Sequence, residues 1–61
     1  MRDPMHDEAL RVARARRQPF TAPNLQRVMR IGFAKALRLV GEMEDAGEIR
    51  RLPDGKYEVT R

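Results

Sequence analysis

Three residues, Arg30-Ile31-Gly32, are all that separates two stretches of helical periodicity in this 61-residue chain. Before them, "APNLQRVM" sets Leu25, Val28 and Met29 at the spacing of one helix face. After them, "FAKALRLVGEMEDA" keeps an apolar side through Phe33, Ala36, Leu37, Val40 and Met43. So short a link is a tight turn, with Gly32 as its flexible point. The two helices must then lie side by side as a helix-turn-helix pair.

The remaining residues fall into place around that pair. Asp3-Pro4 opens an earlier helix, Asp as an N-cap and Pro at a first-turn position that needs no N–H. Met5, Ala9, Leu10, Val12 and Ala13 follow at helical spacing, and Pro19 closes the segment. "QPF" reads as a short extended link with Phe20 as a core anchor. Thr21 is the next N-cap, with Pro23 in the first turn behind it. Gly47 is a natural stop for the long helix. In "EIRRLPDGKYEVTR", Ile49 and Leu52 flank two arginines, "PDGK" is a turn, and Tyr57 and Val59 alternate after it, which predicts a hairpin. The expected fold is mainly α with a small β-hairpin, a winged helix-turn-helix in one domain. Helix one spans about 4–17, helix two about 22–29, the recognition helix about 33–46 and the wing about 48–60.

Catalysis finds little to work with. The chain has no Ser and no Cys, and its one histidine, His6, sits beside the N-terminus with no role assigned. No glycine-rich phosphate loop and no metal-ligand spacing occur. Asp7–Glu8 and Glu44–Asp45 are sequence neighbours that splay apart on a helix. No enzyme activity, cofactor or metal is expected. A chain this short has a thin core and no disulfide to staple it, which fits a reducing cytoplasm. No apolar run is long enough to span a membrane, and "MRDPMHDEALR" lacks the apolar centre of a signal peptide.

Charge points elsewhere. The net value is +4, and all of it lies in residues 1–31. Arginine outnumbers lysine eleven to two, which suits bidentate phosphate and guanine contacts. A GC-rich genome would bias a surface in the same way. The long helix is more specific, because its charges oppose the helix dipole. Arg30, Lys35 and Arg38 sit at its start and Glu42, Glu44 and Asp45 at its end, each misplaced at about 0.3–1 kcal/mol. On the helical wheel Phe33, Ala36, Leu37, Val40, Met43 and Glu44 share the side expected to pack inward. Ala34, Arg38, Gly41 and Asp45 form the outward stripe, flanked by Lys35 and Glu42. A second helix that enters the major groove by its N-terminal residues needs cations there whatever its dipole prefers. Pairing of Glu42 and Asp45 with neighbours such as Arg38 is the alternative use of the same charges.

From Gln26-Arg27 through "RIGFAKALRLVGEMEDAG" to Glu58-Val59, the chain resembles the gamma domain at the C-terminus of bacterial FtsK-type DNA translocases. The likeness covers roughly residues 7–60. It rests on Arg30–Gly32, the aromatic Phe33, Lys35, Ala36, Arg38, Leu39-Val40, Met43-Glu44 and Gly47. It implies a winged helix that reads short, G-rich, directional motifs, orients a translocase on the chromosome, and touches a tyrosine recombinase. The positions matching that family's base-reading set are Arg27, Ala34, Lys35 and Arg38. Where the family usually has Asn-Arg after the aromatic, this chain has Ala34-Lys35. An Asn can read adenine bidentately, whereas Ala can only touch a thymine methyl or leave space. The wing "LPDGK" also differs from the family's Asn/Gly-rich wing.

The expected function is sequence-preferring binding of double-stranded DNA. Lys35 and Arg38 would contact guanine, Arg27 would reach the groove edge, and Arg30, Arg50, Arg51 and Lys56 would hold phosphates. Several copies per site, or a dimer, would be needed for tight binding by so small a module. The resemblance implies a bacterial cytoplasmic, nucleoid-associated setting with no membrane contact by this domain. No motor motif is present, so a translocase fragment and a free-standing gamma-like protein both stay open. Two other readings stay open as well: a small transcriptional regulator from a mobile element or phage, and a winged helix that contacts a recombinase.

Overall fold

The computed structural model describes residues 3–60, which form three helices and a two-stranded hairpin. Helix α1 is His6–Arg16, α2 is Ala22–Met29 and α3 is Phe33–Asp45. Strands β1 (Ile49–Arg51) and β2 (Tyr57–Val59) pair antiparallel with Ile49 opposite Val59, Arg50 opposite Glu58 and Arg51 opposite Tyr57. The fold is a mainly helical winged helix.

Local chemistry sets each boundary. Asp3 does not cap α1 directly. Its carboxylate accepts the Met5 N–H at 2.8 Å and its carbonyl accepts the His6 N–H at 2.9 Å, so one turn precedes the helix. Thr21 and Asn24 form a reciprocal capping box at α2: each side-chain oxygen accepts the other residue's backbone N–H, at 3.3 and 3.0 Å. In the turn the left-handed residue is Arg30, at φ 57°, while Gly32 has an ordinary φ of −72°. The expectation that Gly32 supplies the turn's flexibility is corrected here. Arg30 takes the left-handed geometry because the C-cap of α2 requires it there, three residues before α3 starts. Gly47, at φ 73°, does end α3, and the Glu48 N–H returns to the Met43 carbonyl at 2.9 Å.

The core is formed by Ala9, Leu10 and Ala13 of α1, Phe20, Ala22 and Leu25, Ala36, Leu39, Val40 and Met43 of α3, and Ile49. Phe20 ties the link to the wing. It exchanges two backbone hydrogen bonds with Tyr57, at 2.9 and 2.8 Å, and the two rings lie 6.0 Å apart. Three residues expected to face inward do not: Val28, Phe33 and Leu37 are 55%, 48% and 48% exposed. Leu39, left off the expected inward face, is fully buried. The apolar residues of α3 from Leu39 round to Leu37 cover an arc of roughly 160°, wider than so thin a domain can bury. Contacts of His6 in α1 with Glu42, and of Asp3 ahead of α1 with Lys35, decide which part of that arc turns inward.

Candidate nucleic-acid interface

The outward stripe of α3 presents Ala34, Arg38 and Asp45 to solvent, with Gly41 half-buried. Beside it Phe33 and Leu37 extend the exposed surface over the helix's first two turns. Arg27 and Arg30 are exposed at the end of α2 and share a shallow cleft with Pro23, Gln26 and Ile31 on the outer side of the turn. Lys56 is exposed in the wing turn, where its N–H is fixed by the Asp54 carboxylate at 3.0 Å. Among the described residues no carboxylate pairs with Arg27, Arg30 or Lys56.

The other four cations and Ala34 divide differently. Lys35 is half-buried, with Nζ 3.1 Å from Asp3 Oδ2, and Arg38 Nη1 lies 3.9 Å from the same oxygen. Asp3 thus sits over two of the candidate base-reading cations. Its carboxyl is held below the usual range by the Met5 N–H first, with Lys35 and Arg38 adding to that. In the wing, Arg50 lies on Glu58 directly across the strand pair. The Arg51 guanidinium donates to the Tyr57 hydroxyl at 3.0 Å, sits 5.4 Å from the centre of that ring, and approaches Glu44 at 3.9 Å. Ala34 leaves its stretch of α3 flat.

Two of the three misplaced acids of α3, Glu42 and Glu44, have partners in the fold. Glu42 accepts the Asp3 backbone N–H at 3.1 Å and faces His6 Nδ1 at 3.1 Å. Those two donors, the backbone one first, pull its carboxyl below the ordinary value. His6 is only 2% exposed, and its Nε2 lies 2.6 Å from Glu48. Carboxylates only accept, so both contacts are hydrogen bonds when the ring carries both protons. His6 therefore links the start of α1 to the end of α3 and the root of the wing. Sequence reasoning missed this clasp. Its only trace was a histidine at helical spacing from Ala9 and Leu10, with acids about forty residues away.

Two helices joined by a tight turn, a third helix packed behind them and a hairpin beside them define a winged helix-turn-helix protein. Arg27 and Arg30, exposed at the end of its second helix, have no carboxylate partner among the described residues. A family model described as the Ftsk gamma domain matches residues 1–52, and the chain belongs to that family. The family is a non-catalytic, DNA-binding winged helix, and its partner is double-stranded DNA. No curated protein and no solved structure matches the chain. Among the described residues no helix is long and apolar enough to cross a membrane, and no cluster of side chains suits a metal ion.

Proposed function

We propose that α3 lies in the major groove and that the chain prefers a short, G-rich, directional sequence. In this reading Arg38 and Lys35 donate to guanine O6 and N7, Arg27 reaches the groove edge, and Ala34 leaves room for the base floor. Arg30 at the turn, with Arg50, Arg51 and Lys56 in the wing, holds the phosphates on either side. The observation that carries this reading is the placement of Arg27, Arg30 and Lys56. They are exposed and no carboxylate among the described residues pairs with them, and on α3 Ala34, Phe33 and Leu37 are exposed as well. Lys35 has to exchange Asp3 for a base, so Asp3 competes with nonspecific duplex. So small an interface calls for several copies along one site. The family resemblance supports a role in orienting a translocase in the bacterial cytoplasm, with a tyrosine recombinase as a second partner.

Selection of bound duplexes from a random pool, followed by titration at several salt concentrations, tests the proposal. Four phosphate contacts give a slope of log K on log salt of about −3 to −4. Arg38→Ala is expected to cost about 1–3 kcal/mol and to relax one base position, while Lys56→Ala weakens all sequences alike. A flat salt response, or no enriched motif, sinks the reading.

A further inference from the structure

The face proposed to meet DNA is not mainly polar. Phe33 and Leu37 stand four residues apart on one side of α3, each about half exposed at 48%, next to the small Ala34. Neither belongs to the core cluster, and a 61-residue chain with few large apolar side chains leaves these two in water. The major groove offers one apolar feature, the C5-methyl group of thymine. We infer that Phe33 and Leu37 form a thymine-reading strip, seating thymine methyl groups between the guanine contacts made by its cationic neighbours. The inference rests on the docking proposed above and adds to it which base those contacts lack.

Charge favours this occupant over a protein partner of the same kind. Arg30 precedes the strip at the end of α2, and Arg38 follows Leu37 in sequence. Arg51 reaches the C-terminal end of the same side through its 3.9 Å approach to Glu44. An apolar strip with Arg38 on the adjoining stripe of the same helix complements a groove whose walls are phosphate and whose floor carries methyls. A second copy laid face to face would set these arginines against each other.

Replacing thymidine by deoxyuridine removes the methyl and leaves every hydrogen-bonding group in place, so the duplex selected from the random pool is remade with that substitution. Wild-type protein is expected to lose about fourfold in affinity per thymine read, equivalent to about 0.8 kcal/mol for one buried methyl-sized group. In Leu37→Ala, which keeps a strong helix former at an exposed position, the thymine-to-uracil ratio falls toward one at the affected position. Phe33→Ala does the same at a neighbouring position. Equal affinity of wild type for both duplexes, or a selected site without thymine, overturns the inference while leaving DNA binding intact. A Leu37→Ala protein that sediments differently but keeps the full ratio overturns it too, and assigns the strip to self-association. Absence of any duplex binding removes the docking reading as well.

Discussion

Replacing His6 by Ala is expected to destabilise the domain substantially. The imidazole is among the largest fully buried side chains, and Nε2 lies 2.6 Å from a Glu48 carboxylate that is itself only 14% exposed. Breaking a pair this well buried costs about 3–5 kcal/mol, because the surviving charge keeps its desolvation and loses its partner. The partial exposure of Glu48 places the loss at the lower end of that range. A folded domain of this length holds about 3–9 kcal/mol in total, at roughly 0.05–0.15 kcal/mol per residue. His6→Ala thus removes a third of the stability or more. Since about 1 kcal/mol moves Tm by about 4–8 °C in a domain of this size, thermal melts followed by helical circular dichroism should fall by 12 °C or more, taking ~3 kcal/mol as lost. His6→Gln retains an amide N–H for one of the two carboxylates and should fall between the two proteins. A drop in His6→Ala of less than about 5 °C, near 1 kcal/mol, refutes the clasp as a structural element.

Three further outcomes are expected. Asp3→Asn keeps an oxygen for the Met5 N–H but removes the charge facing Lys35 and Arg38, so affinity for random duplex at low salt should rise roughly two- to fivefold, surface ion pairs being weak; unchanged or weaker binding counts against Asp3 as a competitor. Gly41→Ala meets no atom within 4 Å of the new Cβ and should stabilise α3 by about 1 kcal/mol, read as a higher Tm; a lower Tm contradicts the placement of Gly41 on the open face. Asp3 and Glu42 both have lowered pKa values, so what they contribute is complete above the ordinary carboxylate range and is lost as pH falls through their lowered folded values. Tm should therefore fall more steeply there in wild type than in Asp3→Asn, and parallel curves speak against the assignment.

Elements fixed by local chemistry were legible in the sequence. Thr21 with Pro23 announced α2, Gly47 ended α3, and "PDGK" marked the wing turn, each through its own backbone preference. The facing of α3 was not legible to the same degree. Leu39, Met43, Ala36, Val40, Phe33 and Leu37 offer several overlapping apolar sides, and periodicity alone does not choose among them. The choice rests on Glu42 and Lys35, which meet His6 and Asp3 across more than thirty intervening residues. The same contacts revise the meaning of the reversed charges on α3. Of the cations at its start, Arg30 has no carboxylate partner among the described residues and Lys35 and Arg38 face Asp3, while Glu42 and Glu44 at its finish face His6 and Arg51. Among the eight candidate DNA contacts, sequence supplied residue types and sides. It gave no sign that Lys35, Arg50 and Arg51 would already be engaged.

The bridge between Phe20 and Tyr57 determines where this scaffold tolerates changes of length. Residues added between Pro53 and Lys56 would lengthen an arm whose base is pinned to the trunk, carrying its lysine farther along the sugar-phosphate track with the ladder below undisturbed. One residue added between Gln18 and Phe20 would turn the phenyl ring from the interior into water, since pleated backbone alternates its sides. Reach can therefore be adjusted at the tip of the hairpin, and only there without loosening what supports it.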